Sequence, residues 1–279
     1  MSSLEIDALE NQLSSFRPSS ALPSLLLLRL LTGEFTHRAR GSGDGAAASI
    51  DIVRYIRALE SFEQLRLNKL QIADVQQLHA VLLGRNAPSA WRSTSVTVRF
   101  NRPGSRLWLA GVPPGDVGAR LADLQKLIIE SLQLTPFERI ALLHLELLRT
   151  HPFEDGNGRL ARLLPAILLR NEFEARLYLG ITRIMRGNFV RYNAAIRSQR
   201  DNAYEQWLHY FGGAITAELH AAERINKAVL ALDDDERQSL VVVVEQHLSK
   251  MRKGDFPPPD SGTGRNLSKG CARILAALL

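Results

Sequence analysis

The stretch His151-Pro152-Phe153-Glu154-Asp155-Gly156-Asn157-Gly158-Arg159-Leu160-Ala161-Arg162 gathers an imidazole, a carboxylate, a glycine-rich turn and two arginines into one short run. Gly156 and Gly158 let the backbone turn its N–H groups inward without a Cβ clash. The apolar, arginine-studded run that follows has the pattern of a helix beginning at that turn, with its N-terminus facing an anion. Asp155 offers the hard oxygen that Mg²⁺ takes, and Arg159 and Arg162, three apart on one helical face, can fork onto phosphate oxygens. His151 is then free to accept a proton. Any one of these residues alone fits a glycine turn capping an ordinary helix with solvated charges; together they point to a phosphate-handling active site.

Working outward, Thr135-Pro136-Phe137-Glu138 has the spacing of a capping box with proline at the first helical position. The helix it opens should run to about Thr150 and deliver His151 at its end. Pro165 falls inside the helix after the motif, as a kink or a deliberately released backbone group. Upstream, Leu25 to Phe35 is apolar and helix-like, the glycine spacing within Arg38 to Ala48 should stop a helix near Arg40 and reads as a loop from there, and two helices follow between Asp51 and Leu83. Ile52, Tyr55, Ile56 and Leu59 share a face of the first, and Val75, Leu78, Val81 and Leu82 a face of the second. Between Gly84 and Pro114 the pattern breaks, and Val96-Thr97-Val98 with Arg99-Phe100 has the β-branched and aromatic content of a short strand or hairpin. Helices return after Asp116 and over 187–200 and 203–230. Beyond Asp233 an acidic helix start is expected; Leu240 to Val244 fits helix or strand on periodicity alone, and Phe256 to Gly264 reads as a linker.

The chain has 279 residues, 45% hydrophobic and 23% charged, the balance of a soluble globular protein. One cysteine, Cys271, allows no intrachain disulfide and no cysteine-built metal site, and fits a reducing compartment. No signal peptide or spanning segment is indicated, so a cytoplasmic location without membrane contact is expected. A net charge of +6 would suit nucleic acid, but the arginines are dispersed and no basic-aromatic run occurs, so nucleic-acid binding is not expected.

The motif fills every specified position of the Fic-family signature: His, any, Phe, any, Asp or Glu, Gly-Asn-Gly-Arg, any, any, Arg. The chain resembles that family over roughly residues 25–220. The resemblance implies an all-α fold, a Fic-type helical core with a small β-hairpin flap. Its implied activity is transfer of AMP from ATP, with Mg²⁺, to a hydroxyl side chain of a target protein, the enzyme itself included. On that resemblance His151 is the base, Asp155 the Mg²⁺ ligand, and Phe153 the anchor of the loop. Gly156, Asn157 and Gly158 are the anion hole, Arg159 and Arg162 hold the outer phosphates, and Val96, Thr97 and Val98 form the flap that receives the target by strand addition. Tyr192 is a residue to stack on or hydrogen-bond the adenine, whereas Trp207 and His144 are read as core. The implied organisation is an N-terminal arm with an inhibitory-helix-like segment (1–49), a catalytic core (50–220) and a C-terminal extension (221–279) resembling a truncated winged-helix appendage.

Related proteins carry an inhibitory helix, Ser or Thr, three residues, Glu, then Gly or Asn, whose glutamate pairs with the second motif arginine. Two registers compete here. Glu34 keeps the acid but is flanked by Leu30 and Phe35; Thr36 and Gly41 fill the flanking positions but place Arg40 where the acid belongs. The second register is preferred, which implies a brake without its acid. Other readings retain the fold but transfer another nucleotide or a phosphate, or make the chain a silent regulatory binding protein. The sequence leaves homo-oligomerisation open.

Overall fold

In the computed structural model the backbone is described except at residues 42–44, 100–107, 175, 198–202, 256–266 and 279, and the side chains except, in addition, at 36–49, 98–110 and 203. The capped helix of the motif region forms as expected. Thr135 caps α6 (Pro136–Thr150), its hydroxyl accepting from the Glu138 N–H while the Glu138 carboxylate takes the Thr135 N–H. His151 ends the helix in the left-handed region (φ 49°, ψ 63°). After the loop, α7 (Asn157–Glu172) starts at Gly156, whose φ of 82° marks the turn. The helix passes through Pro165 and buries a continuous apolar face, Leu160 to Leu169, against α6.

Around this pair the other helices pack. α1 (Ser3–Ser15) opens with a Ser2/Glu5 capping box and buries Ile6, Leu9 and Leu13. α2 (Leu22–Gly41) and α3 (Gly45–Ser61) follow. The loop expected from Arg40 to Ala48 is thus helical at its described residues, 40–41 and 45–48: arginine and alanine there are strong helix formers, and a glycine costs only about 1 kcal/mol against alanine. α4 (Ile72–Leu83) carries Asp74 in its capping box and ends at Gly84 with φ 68°. Ile52, Tyr55, Ile56, Leu59, Val75, Leu78 and Leu82 are buried, as their periodicity requires, whereas Val81 on the same face is only partly buried.

Two short strands, β1 (Thr97–Arg99) and β2 (Trp108–Ala110), pair antiparallel with Thr97 opposite Ala110 and Arg99 opposite Trp108. The Gly111 N–H donates to the Val96 carbonyl at 3.1 Å and extends the ladder by one step. α5 (Val117–Glu130) precedes α6, and α8 (Thr182–Gly187), α9 (Phe189–Arg197) and α10 (Ala203–Leu230) come after α7.

The segment that was ambiguous between helix and strand is helical within α11 (Asp234–Arg252), opened by an Asp233/Glu236 capping box. α12 (Lys269–Leu278) buries Cys271, Ile274, Leu275 and Leu278 and packs on α2, α10 and α11. Its last carbonyls are bound by α2 and α8. Arg29 donates to Ala277 (3.0 Å), and the Thr32 hydroxyl (2.7 Å) and Arg183 (2.5 Å) donate to Leu278. Arg29 also holds Glu218 of α10 with two hydrogen bonds, at 2.9 and 3.0 Å. One hydrophobic core joins residues from Ile6 to Leu278. Among the described residues no helix is long and apolar enough to cross a membrane. The expected linker after Phe256 lies outside the described residues.

Candidate active site

The α6–α7 loop is closed on itself. The Asn157 side chain accepts from the Phe153 N–H (2.9 Å) and donates to the Phe153 carbonyl (2.7 Å), and Asn157 is 2% exposed. Asn157 therefore brings only its backbone N–H to an anion, not its amide. Phe153 is buried as an anchor, its ring stacked on His79 of α4 (3.6 Å between centroids) and tilted against Trp91 (5.1 Å).

His79, which the sequence did not single out, holds the loop. Its Nε2 donates to the Asp155 carbonyl at 2.7 Å, since a carbonyl can only accept, and its Nδ1 then accepts from the Ser89 hydroxyl at 2.7 Å. Burial pushes its pKa down to about 4, so the ring is neutral and this pattern is stable at neutral pH.

With the loop fixed, the first turn of α7 presents N–H groups that lack intrahelical partners, and no side chain caps them. Helix dipole and open N–H groups together make an anion seat. The Asp155 side chain, 83% exposed, stands beside it with Arg159 at 3.6 Å. Among the described residues no cluster of three or more His, Cys, Asp or Glu could hold a metal. One exposed carboxylate fits the usual Mg²⁺ arrangement, in which substrate phosphates complete the shell. Arg159 is held from the other side by Asp51 of α3 at 2.8 Å, a partner that composition and motif gave no reason to name.

His151 lies at the mouth of this seat, partly buried. Burial lowers its pKa, opposed in part by the Leu148 carbonyl, which keeps the imidazole neutral at physiological pH. Its Nδ1 is buried without a hydrogen bond of ordinary geometry.

Arg162 does not face open space. Glu34 of α2 grips it with two hydrogen bonds, Nε to Oε2 at 2.9 Å and Nη2 to Oε1 at 2.5 Å. The Thr182 hydroxyl donates to the same carboxylate (2.9 Å), and Arg186 binds the carbonyls of Gly33 (2.5 Å) and Glu34 (2.7 Å). Burial alone would raise the Glu34 pKa; Arg162, Thr182 and Arg186 outweigh it and hold the carboxylate ionised. The pairing thus follows the register containing Glu34, against the preference for Arg40. The Arg40 side chain lies outside the described residues. The hydroxyl that Leu30 lacks is supplied across space by Thr182, which no linear pattern on α2 could reveal.

Tyr192 also needs correction. Its ring is 5% exposed within a cluster of His144, Trp207, Tyr210 and Phe189, and its hydroxyl meets His144 Nε2 at 3.3 Å. Its faces are taken by the core, so it is not a stacking platform for a base. Trp207 and His144 are core as expected, Trp207 donating to the Ala141 carbonyl at 2.7 Å. Val96 and Thr97 lie at the start of the strand pair with Thr97 exposed; the Val98 side chain is outside the described residues.

Residues 69–169 match the model of the Fic/DOC family. The relatives include protein adenylyltransferases called fic-1 from Caenorhabditis briggsae and Caenorhabditis elegans, each 32% identical across 46% of this chain and 27% of their own. The chain thus matches only about a quarter of those relatives' length. A crystal structure of a Fic-domain-containing signaling protein from Bacteroides thetaiotaomicron superposes with a TM-score of 0.59 over 78% of this chain and 95% of that one, at 19% identity. The structure of residues 134–508 of C. elegans Fic-1 gives 0.57 over 80% of this chain and 71% of that one, also at 19%. With the helical fold and the filled motif, residues 69–169 of this chain are similar to the Fic/DOC family.

Proposed function

We propose that the chain is a protein adenylyltransferase that moves AMP from ATP to a Ser, Thr or Tyr hydroxyl of a target protein. The observation that carries this is the pairing, in one loop, of an uncapped α7 N-terminus with a neutral His151 and an exposed Asp155. The names of the matched relatives support the same reading.

In the proposed step His151 takes the proton of the target hydroxyl at Nε2, since Nδ1 is buried. The hydroxyl oxygen forms a bond to the α-phosphorus as the bond from that phosphorus to the bridging oxygen of pyrophosphate breaks. Products are the AMP ester and pyrophosphate. The N–H groups of Asn157, Gly158 and Arg159 spread the charge of the departing group. Mg²⁺, held by Asp155 and the phosphates, would neutralise that charge further. Arg159, oriented by Asp51, and Arg162, once free of Glu34, hold the outer phosphates. The strand pair offers backbone groups to an extended target segment.

Intact-mass measurement after incubation with ATP and Mg²⁺ tests the proposal on the chain itself and on candidate acceptors mixed with it. A gain of one AMP is expected, lost in His151→Ala while ATP affinity stays nearly unchanged, and lost with the metal dependence in Asp155→Ala. A gain of one phosphate would mean reversed nucleotide binding and the other transfer reaction. No adduct from a Glu34→Gly variant, in which the restraint on Arg162 is removed, across a panel of acceptors would point to a binding role.

A further inference from the structure

Arg92 is 3% exposed, and its guanidinium spans two parts of the site. On one side Nε donates to the His151 carbonyl at 2.6 Å and Nη2 to the Thr150 carbonyl at 3.2 Å, binding the end of α6. On the other, Nη1 donates to Thr94 (2.8 Å) and Nη2 to the Val112 carbonyl, the residues at the two roots of the strand pair. The Arg92 N–H adds a bond to the Pro152 carbonyl at 2.9 Å. Beside it Glu154, at a position the family signature leaves free, takes the Thr94 hydroxyl (2.8 and 3.0 Å) and the Ser93 N–H (3.3 Å).

Two physical points give this junction meaning. Among the described residues only His151 and Arg176 are non-glycine positions at positive φ, and His151 is the proposed base. A residue with a side chain persists in that region only where its surroundings over-determine it. The Nε bond to its own carbonyl does so directly. The second point is rigidity: a guanidinium is a planar fork with donors in fixed directions, whereas an ammonium is a flexible point charge with three. The offset between His151 and both strand roots is therefore set by one planar group.

We infer that Arg92, assisted by Glu154, is a positioning residue that locks the strand pair in register with His151, so that a target bound by its backbone arrives with its hydroxyl at the base. This rests on the proposed transfer reaction. A misplacement of roughly 1 Å between reacting groups can slow a reaction on the order of a hundredfold.

The test compares wild type, Arg92→Lys and Glu154→Ala. Hydrogen exchange at the ladder amides and NMR titration of the His151 ring are read without any transfer; ATP affinity and the kcat and KM of target labelling are read separately. Arg92→Lys should speed ladder exchange, shift the His151 titration, lower kcat at least tenfold, and leave ATP affinity within about twofold. Glu154→Ala, an exposed change that leaves the core intact, should do the same more weakly, and it decides the matter should Arg92→Lys fail to fold. Ladder exchange and His151 titration unchanged in a folded variant overturn the inference. Loss of ATP affinity in step with kcat does so too, since it marks a merely structural role. A wild type that transfers nothing defeats the reaction proposed above, and the exchange and titration arms still decide Arg92.

Discussion

Glu34 and Arg162, 128 residues apart, meet as a two-pronged pair in which the carboxylate is 1% and the guanidinium 14% exposed. A charge-assisted contact of this kind contributes about 1.5–3 kcal/mol. At about 1.4 kcal/mol per decade that is a ten- to hundredfold effect on a rate that needs Arg162 elsewhere. Glu34→Gly should accordingly raise the initial labelling rate by that factor at saturating ATP, and Arg40→Glu should change it little. Equal rates in wild type and Glu34→Gly would remove the restraint assigned to this pair. Leaving Arg162 buried without its partner is also destabilising, so ATP should raise the melting temperature more in the variant than in wild type.

Gly156 has little room to change. Its φ is 82°, and a Cβ there would lie 2.8 Å from His79 Nε2. Gly156→Ala combines left-handed backbone strain, about 1–2 kcal/mol, with displacement of the ring that holds the Asp155 carbonyl. ATP binding measured by calorimetry should fall at least tenfold. Gly187→Ala, where a Cβ meets nothing within 4 Å, should leave it unchanged.

Acid should weaken the fold through His144. Burial holds its pKa at about 3 in the folded state, against about 6.5 when unfolded. The folded pKa is depressed, so the unfolded chain binds the proton more readily. The associated stability is whole above pH 6.5 and is lost as pH falls from there toward 3. The slope approaches about 1.4 kcal/mol per pH unit, or about 2 kcal/mol between pH 6.5 and 5. Urea titrations across that range should show a flatter dependence in His144→Gln, which keeps a polar partner for Tyr192 but takes no proton.

Strand addition makes a backbone demand. Thr97→Ala should label target as wild type does, while Thr97→Pro, which deletes an N–H, should fail with ATP binding retained. Equal labelling by the two variants, both folded, would count against the strand pair as the target's seat.

The geometry of the α6–α7 loop was legible because it is local: within the 151–162 stretch, identity and spacing fix the turn, the helix start and the placing of the two arginines. The α6 cap was legible for the same reason, since Thr135 and Glu138 act on each other three residues apart. What escaped was set by packing across the chain. Asp51 reaches Arg159 and His79 reaches Asp155 from α3 and α4, and Thr182 completes the cage of Glu34 from α8. The competing register failed because a linear pattern on α2 cannot say which residue faces Arg162. Tyr192 misled because a helical aromatic looks alike whether it faces a pocket or, as here, a ring cluster.

The depth at which α2 is set decides what kind of motion could free Arg162. Leu22, Leu25, Leu26, Leu28, Leu31 and Phe35 are each at most 1% exposed. At roughly 1.5–3 kcal/mol per buried side chain, lifting the helix away would cost on the order of 10 kcal/mol before its bonds to α10 and α12 are counted. That exceeds the Glu34 contact several-fold, so undocking is not the route. The helix is a fixed mast, and any release of Arg162 is expected to involve rotation of the Glu34 side chain and not movement of α2 as a whole. Such a switch works on the timescale of local rearrangement, and a ligand or partner that draws Glu34 aside by even that single rotamer could operate it without disturbing the fold.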